Sequence, residues 1–389
     1  MSRSPSPAHP PPYGDLGALL LGSRLALLVV GLLAAGLLGS GLAVQKGNLV
    51  HHEPAPAPLE IWARWDAEWY LLIAEKGYRS SEAFAHLTRY EPEATAGFFP
   101  LYPLLIRALA PALGGVGAGV LIANVCLAGS VLLLFRLTRD EAGGEDGARA
   151  GLAACAAMLV FPATLFLSAV YPESLFLFLT LLAFDRARTG AFALAGAAGA
   201  LAALARPTGV LLALPLAIEW WTRGRRGGSR WGWLAAGGPP AGTAIVMTMC
   251  ARLFGDPLAF VHRQERWRGA SSGPWRAFAR WWQEGPALHG AHDSTLEMLT
   301  ALTLVGMLPI VFLKLRPSYA VHAAATILVP LCSTVWSFGR LALPAFPIFM
   351  ILGMASTPVG RRLYSLYMMA GGALASFLMA LYASWWWAG

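Results

Sequence analysis

A few isolated polar side chains stand out against an apolar background because their types can do proton and anion chemistry. Asp66 lies in "RWDAEWY", Glu173 in "YPESLF", Arg206 in "ALARPTG", Gln264 and Trp267 in "HRQERWRG", and Arg340 in "SFGRLALP". A carboxylate enclosed at a membrane edge can act as a general base when its surroundings tune it. Arginine keeps its charge and offers a two-pronged donor fork suited to phosphate or carboxylate. His86, in the polar run "RSSEAFAHLTRYEPEAT", could orient an anion, although a lone loop histidine is more often merely solvated. Each of the others also has a structural reading. Glu173 follows Pro172 where an acid meets a helix dipole. Trp267 could be an interfacial anchor, and Arg206 a topological marker. Glu91 and Glu93 are split by Pro92 and make a poor metal cage. Cys126, Cys155, Cys250 and Cys332 lie in apolar stretches with no CxxC or Cys/His spacing, so neither a zinc site nor a disulfide framework is expected.

The elements that must position these residues follow from composition. The 389-residue chain is 57% hydrophobic and 13% charged, with 15 tryptophans. Soluble domains run near about 25% charged. Apolar stretches long enough for about 30 Å of hydrocarbon recur along the chain, so it is an all-α polytopic membrane protein. Residues 1–14 form a Pro- and Ser-rich tail expected to be disordered, and 15–389 one integral-membrane domain. Eleven spans are expected, at 17–43, 114–135, 149–167, 172–185, 190–205, 208–222, 232–254, 294–313, 318–336, 341–357 and 363–385. With the N-terminus inside, "TRGRRGGSR", "DRARTG", "KLRP" and "GRR" fall in short inner loops, as the positive-inside rule requires. The long loops 44–113 and 255–293 then lie outside, and the isolated acids and arginines converge on that outer face. Intramembrane or membrane-edge ionisable groups are functional candidates by default. The net charge of +8 is explained by loop charges rather than by nucleic acid.

Two parts of the outer loops carry special patterns. In and just before residues 64–78, Ile61, Trp65, Trp69, Leu72 and Ile73 fall near one helical face, and Arg64, Glu68 and Glu75 on another. This pattern predicts an amphipathic helix at headgroup depth, with a second interfacial helix in "AGFFPLYPLLIRALAPAL". Asp66 sits one residue off the anchoring face. "HRQERWRGASSGPWRAFARWW" is basic and aromatic-rich and reads as a membrane-surface segment.

Ordered along the chain, "WDAEWYLLIAEKGY", "FFPLYPLL", "SAVYPESLFLF", "ALARPTGVLL", "GDPLAFVHRQERWRG" and "SFGRLALPAFPIF" resemble the PIG-V-type family, the GPI mannosyltransferases that add the second mannose. Two positions depart from that pattern: Trp69 stands where many members have His, and Leu341 where Tyr is usual. The resemblance implies a GT-C-type fold and a glycosyltransferase using a polyprenyl-phosphate sugar, mannose by family. The acceptor would be a lipid or glycolipid hydroxyl at the extracytoplasmic face of a plasma membrane, with a bacterial homologue expected from composition. In that frame Asp66 is the catalytic base. Arg206 and Arg340 are phosphate ligands, and His86, Glu173, Gln264 and Trp267 contact sugar, phosphate or acceptor. A lipid-phosphate donor has no diphosphate to neutralise, so no metal and no cofactor are expected. The rival reading is a transporter or flippase of lipid-linked sugars, which predicts polar residues on both sides and inverted repeats. No clear internal repeat is present.

Overall fold

The computed structural model describes residues 12–38, 50–78, 92–224, 231–284, 294–356 and 360–388. Among these residues all regular structure is helical. Five helices are long and apolar enough to cross a bilayer: α1 (Tyr13–Leu37), α4 (Gly115–Ala142), α9 (Trp233–Phe254), α12 (Thr295–Lys314) and α16 (Arg361–Ala383). The intervening helices are α2 (Ala67–Lys76), α3 (Leu101–Leu113), α5 (Gly147–Leu159), α6 (Glu173–Arg188), α7 (Phe192–Ala205) and α8 (Ala213–Glu219). The later ones are α10 (Ala259–Arg268), α11 (Arg276–Glu284), α13 (Pro317–Leu331), α14 (Phe338–Ala342) and α15 (Phe346–Met354). The chain is an integral membrane protein.

Each stretch expected to span does contain helix, but six of the eleven are shorter than a full crossing or are broken. Prolines account for two of the breaks. Pro162 opens a 3-10 turn, Pro162–Leu167, where the third span was expected to continue. Pro207 opens another, Pro207–Leu212, before α8. Proline removes an N–H and disfavours helix at the residue before it, so the chain turns at both points.

Packing follows small residues. On α1, Leu21, Leu25, Val29, Leu33 and Leu37 are exposed at four-residue spacing, a lipid-facing ridge, while Leu27, Gly31 and Ala34 are buried. A side chain at Gly31 would meet Met379 of α16. Helices α7 and α9 approach more closely still. A Cβ on Gly238 would lie 2.0 Å from the Gly196 carbonyl oxygen, and one on Gly242 would lie 2.3 Å from that of Ala200. Close approach of this kind replaces hydrophobic driving force with dispersion contact, as membrane helix pairs require.

The expected amphipathic helix differs from the pattern. Residues 67–74 of α2 are all buried. Glu68, placed by periodicity on a polar face, is 3% exposed and accepts backbone N–H groups from Val50 (2.7 Å) and His51 (3.3 Å). The segment before α2 folds back onto it, so the helix packs within the protein instead of lying on its surface. The polar pattern is matched by hydrogen bonds rather than by water.

Candidate active site

Four charged side chains from distant segments form one chain of ion pairs. Arg340 Nη1 lies 2.8 Å from Asp66 Oδ2, and Arg340 Nε 3.4 Å from Glu173 Oε1. Arg206 Nη1 lies 2.8 Å from the same Glu173 oxygen. All four face a cavity of about 530 Å³.

Local sequence explains how each arrives there. α7 stops at Ala205 because Pro207 forces Arg206 into extended backbone, φ −152° and ψ 150°, so its side chain leaves the helix. Glu173 begins α6, but its carboxylate meets two guanidiniums rather than the helix's own amides. Asp66 is the N-cap of α2 and makes no capping bond; its carboxylate goes to Arg340 instead. An aspartate at this position ordinarily caps, so the diversion costs local helix stability.

Two backbone contortions aim the pair. Trp65 and Ser337 both have φ +59°, a region bulky residues avoid. Such strain persists only where surroundings over-determine it. Around Trp65 they do. The Asp66 N–H donates to the Tyr171 hydroxyl (3.0 Å), which donates to the Arg64 carbonyl (3.0 Å). The Arg64 N–H donates to the Tyr382 hydroxyl (3.1 Å), and the Trp65 indole donates to the Trp386 carbonyl (3.2 Å). On the Arg340 side, Glu297 accepts the Gly339 N–H at 2.6 Å. Behind Glu173, Arg24 of α1 donates to the carbonyl (2.9 Å) and hydroxyl (2.9 Å) of Thr164, fastening the 3-10 turn that leads to Tyr171 and Glu173.

The two carboxylates are not equivalent. The Glu173 side chain is 2% exposed, and its Oε2 is buried without a hydrogen bond. The Asp66 side chain is 31% exposed to the cavity. Among the described residues Asp66 Oδ1 makes no hydrogen bond, while Oδ2 is fixed by Arg340. A reacting hydroxyl can therefore reach Asp66 but not Glu173.

Aromatic rings form much of the wall. Trp69 stacks on Phe98, with centroids 5.3 Å apart and planes at 17°. Trp267 packs edge-on against Phe98, and Arg263 sits 4.7 Å over its ring. Gly97 makes room for it, since a Cβ there would lie 2.6 Å from the Trp267 ring. Trp65, Trp336 and Trp387 complete the lining. Flat apolar faces beside a few charged groups suit a sugar ring, which is apolar on one face and polar at its rim.

Thus Asp66, Glu173, Arg206, Gln264, Trp267 and Arg340 all reach one cavity, as does Trp69 at the departure from the family pattern. His86 lies outside the described residues. Several contributors were not singled out from the sequence. Tyr171 and Arg268 lie within the motifs but look like ordinary motif neighbours, and Trp336 stands one residue before "SFGRLALPAFPIF". Trp387 follows the last helix, two residues beyond the expected span 363–385. Arg268 lines the cavity, donates from Nε to Gln264 Oε1 (3.2 Å) and from Nη1 to the Trp336 carbonyl (2.9 Å). Burial pushes its guanidinium down to about 10, which leaves it cationic at neutral pH.

Fold and site define a polytopic helical membrane protein with a charged, tryptophan-walled cavity, built from loop segments held at helix ends. Residues 53–214 match the family model described as "Mannosyltransferase (PIG-V)". The segment contains Asp66, Glu173 and Arg206. Gln264, Trp267 and Arg340 lie beyond it. The mouse (Mus musculus) GPI alpha-1,6-mannosyltransferase 2 is 35% identical over 158 residues, covering 38% of this chain and 29% of that protein. The Drosophila melanogaster GPI mannosyltransferase 2 is 29% identical over 182 residues, 42% of this chain and 37% of that protein. The matched region therefore spans about a third of these relatives. Among solved structures, ArnT from Cupriavidus metallidurans bound to undecaprenyl phosphate aligns with a TM-score of 0.47 at 14% identity, covering 95% of this chain and 76% of that one. The Archaeoglobus fulgidus oligosaccharyltransferase aligns with a TM-score of 0.46 at 12% identity, covering 96% and 56%.

Proposed function

We propose that this protein is a membrane glycosyltransferase of GT-C type. It moves a sugar, mannose by family, from a polyprenyl-phosphate donor to a lipid or glycolipid hydroxyl at the extracytoplasmic face. The observation that carries this reading is Asp66: a carboxylate with one oxygen fixed by Arg340 and the other open to the cavity. A base must be held in orientation yet reachable, and this arrangement meets both needs.

In the proposed step, the acceptor oxygen bonds the donor's anomeric carbon while its proton passes to Asp66 Oδ1. The bond from that carbon to the phosphate oxygen breaks with its electron pair, and polyprenyl phosphate leaves. Attack from the side opposite the phosphate inverts the anomeric centre. Tryptophan faces hold the sugar. Arg340 positions the base, and Glu173 holds Arg340 and Arg206 in register. A monophosphate leaving group can be stabilised by guanidiniums alone, so the reading includes no metal and no cofactor.

The test uses purified protein in lipid nanodiscs, supplied with polyprenyl-phosphate mannose labelled in the sugar and with lipid acceptors. Label should move to an acceptor without any ion gradient. In sealed vesicles, label that crosses the bilayer while staying on its original lipid would instead identify a transporter.

A further inference from the structure

The two arginines first expected to hold phosphate are already engaged, and a third is not. Arg340 is paired with Asp66 and Glu173, and Arg206 with Glu173. Two acids and two arginines sum to zero. Of the described charged side chains lining the cavity, this leaves Arg268 as the one without an ion-pair partner. Among the described residues it has no carboxylate within ion-pair distance. Its contacts are neutral: the Gln264 amide oxygen and the Trp336 carbonyl. Its Nη2 makes no hydrogen bond with any described residue.

It is also held still. Gln264 and Trp336 fix two of its nitrogens, and Arg280 donates to its own carbonyl at 2.9 Å. A rigid guanidinium on the cavity wall, with one nitrogen unbonded among the described residues, has little more entropy to lose on binding an anion.

We infer that Arg268 is the residue that binds the donor's phosphate, with Gln264 as its positioning residue, while Arg206 and Arg340 serve chiefly to hold the carboxylates. This rests on the lipid-phosphate donor proposed above. The chemistry asks for such a cation. The donor is a phosphodiester with one negative charge, and the departing lipid is a monoester that gains another. A guanidinium whose charge is not already neutralised interacts more strongly with that gain than one shared between two carboxylates. Ser271 and Thr208 also line this cavity, and their side chains carry hydroxyls of the kind that can add hydrogen bonds to a phosphate.

The experiment measures binding alone, so that it does not depend on turnover. Radiolabelled polyprenyl phosphate is titrated onto purified protein in nanodiscs, with and without competing inorganic phosphate. The wild type should bind the lipid and be displaced only weakly by inorganic phosphate. Arg268→Gln should weaken binding about ten- to hundredfold, the usual worth of a charge-assisted hydrogen bond. Arg268→Lys, which keeps charge but loses the fork, should weaken it by about three- to tenfold. Arg206→Gln should change it less than either. Affinity within twofold of wild type in Arg268→Gln, or in Arg268→Lys should the Gln variant not fold, would overturn this assignment and leave the donor reading intact. A wild type that binds no polyprenyl phosphate would overturn both. Displacement by inorganic phosphate at equal concentration would show an anion site not specific for lipid and would also overturn it.

Discussion

Glu173 and Asp66 show how similar chemistry serves different ends at two positions. Glu173 is sealed between two guanidiniums, so its removal strands buried positive charge. Glu173→Gln should therefore destabilise the protein by about 3–5 kcal/mol, the cost of breaking a buried pair, seen as a lowered Tm. A Tm unchanged within error would mean that Glu173 is not what holds the arginines. Glu68 makes a different prediction. Burial pushes its carboxyl up from 4.5 to about 7, against the pull of two backbone N–H groups. Between those values the folded state keeps a proton that the unfolded chain has released, so Glu68 makes stability fall as pH rises through that window. Below it both states are protonated, and above it both are ionised. Thermal unfolding from pH 4 to 8 should show this decline in the wild type and a flatter profile in Glu68→Gln. Equal slopes would remove Glu68 as its source.

Elements, rather than residues, decide how much could be read in advance. Helices were legible wherever apolar runs were long, since hydropathy and length alone define a span, as α1, α4, α9, α12 and α16 show. Breaks at Pro162 and Pro207 were harder, because proline says that a helix ends but not where the chain goes next. The burial of α2 could not be read, because periodicity separates faces without saying what covers them. The site residues were legible as isolated polar side chains in recurring motifs. Their ion pairing was not, since Asp66 and Arg340 lie 274 residues apart. Arg268 was hidden for another reason: it stands among many arginines in a basic loop, and only the cavity singles it out. The 3-10 turn Pro92–Gly97 offers an element-scale test. Gly97→Ala must push the Trp267 ring away, since a Cβ would lie 2.6 Å from it. The expected result is a raised donor KM with Tm nearly unchanged. An unchanged KM would show that Trp267 does not contact the sugar.

At the scale of the whole molecule, charge is organised at two ends. Asp66, Glu173, Arg206 and Arg340 meet at one end of α6. Glu141, Arg188, Arg316 and Glu219 meet at the other, where Arg188 lies 3.1 Å and Arg316 2.6 Å from Glu141. Arg186, Arg188 and Arg316, from the short arginine-rich segments, lie with the second end, so the positive-inside rule predicts that the cavity faces outside. Cysteine labelling tests this in a chain stripped of its own cysteines, at Ser229 in the basic loop and Ser81 in the first long loop. A membrane-impermeant reagent applied to sealed cells should label Ser81→Cys and spare Ser229→Cys. The reverse pattern would turn the cavity to the cytoplasm and remove the extracytoplasmic reaction.

The central claim is that Asp66 takes the acceptor's proton. Asp66→Asn keeps the size of the side chain and an oxygen for Arg340, but it cannot accept a proton at neutral pH. Transfer from polyprenyl-phosphate mannose, measured beside polyprenyl-phosphate binding in the same nanodiscs, should fall by about 10²–10⁴-fold, the usual contribution of a positioned base. Binding should stay within a few-fold of wild type. Near-normal transfer by Asp66→Asn would contradict the account at its centre.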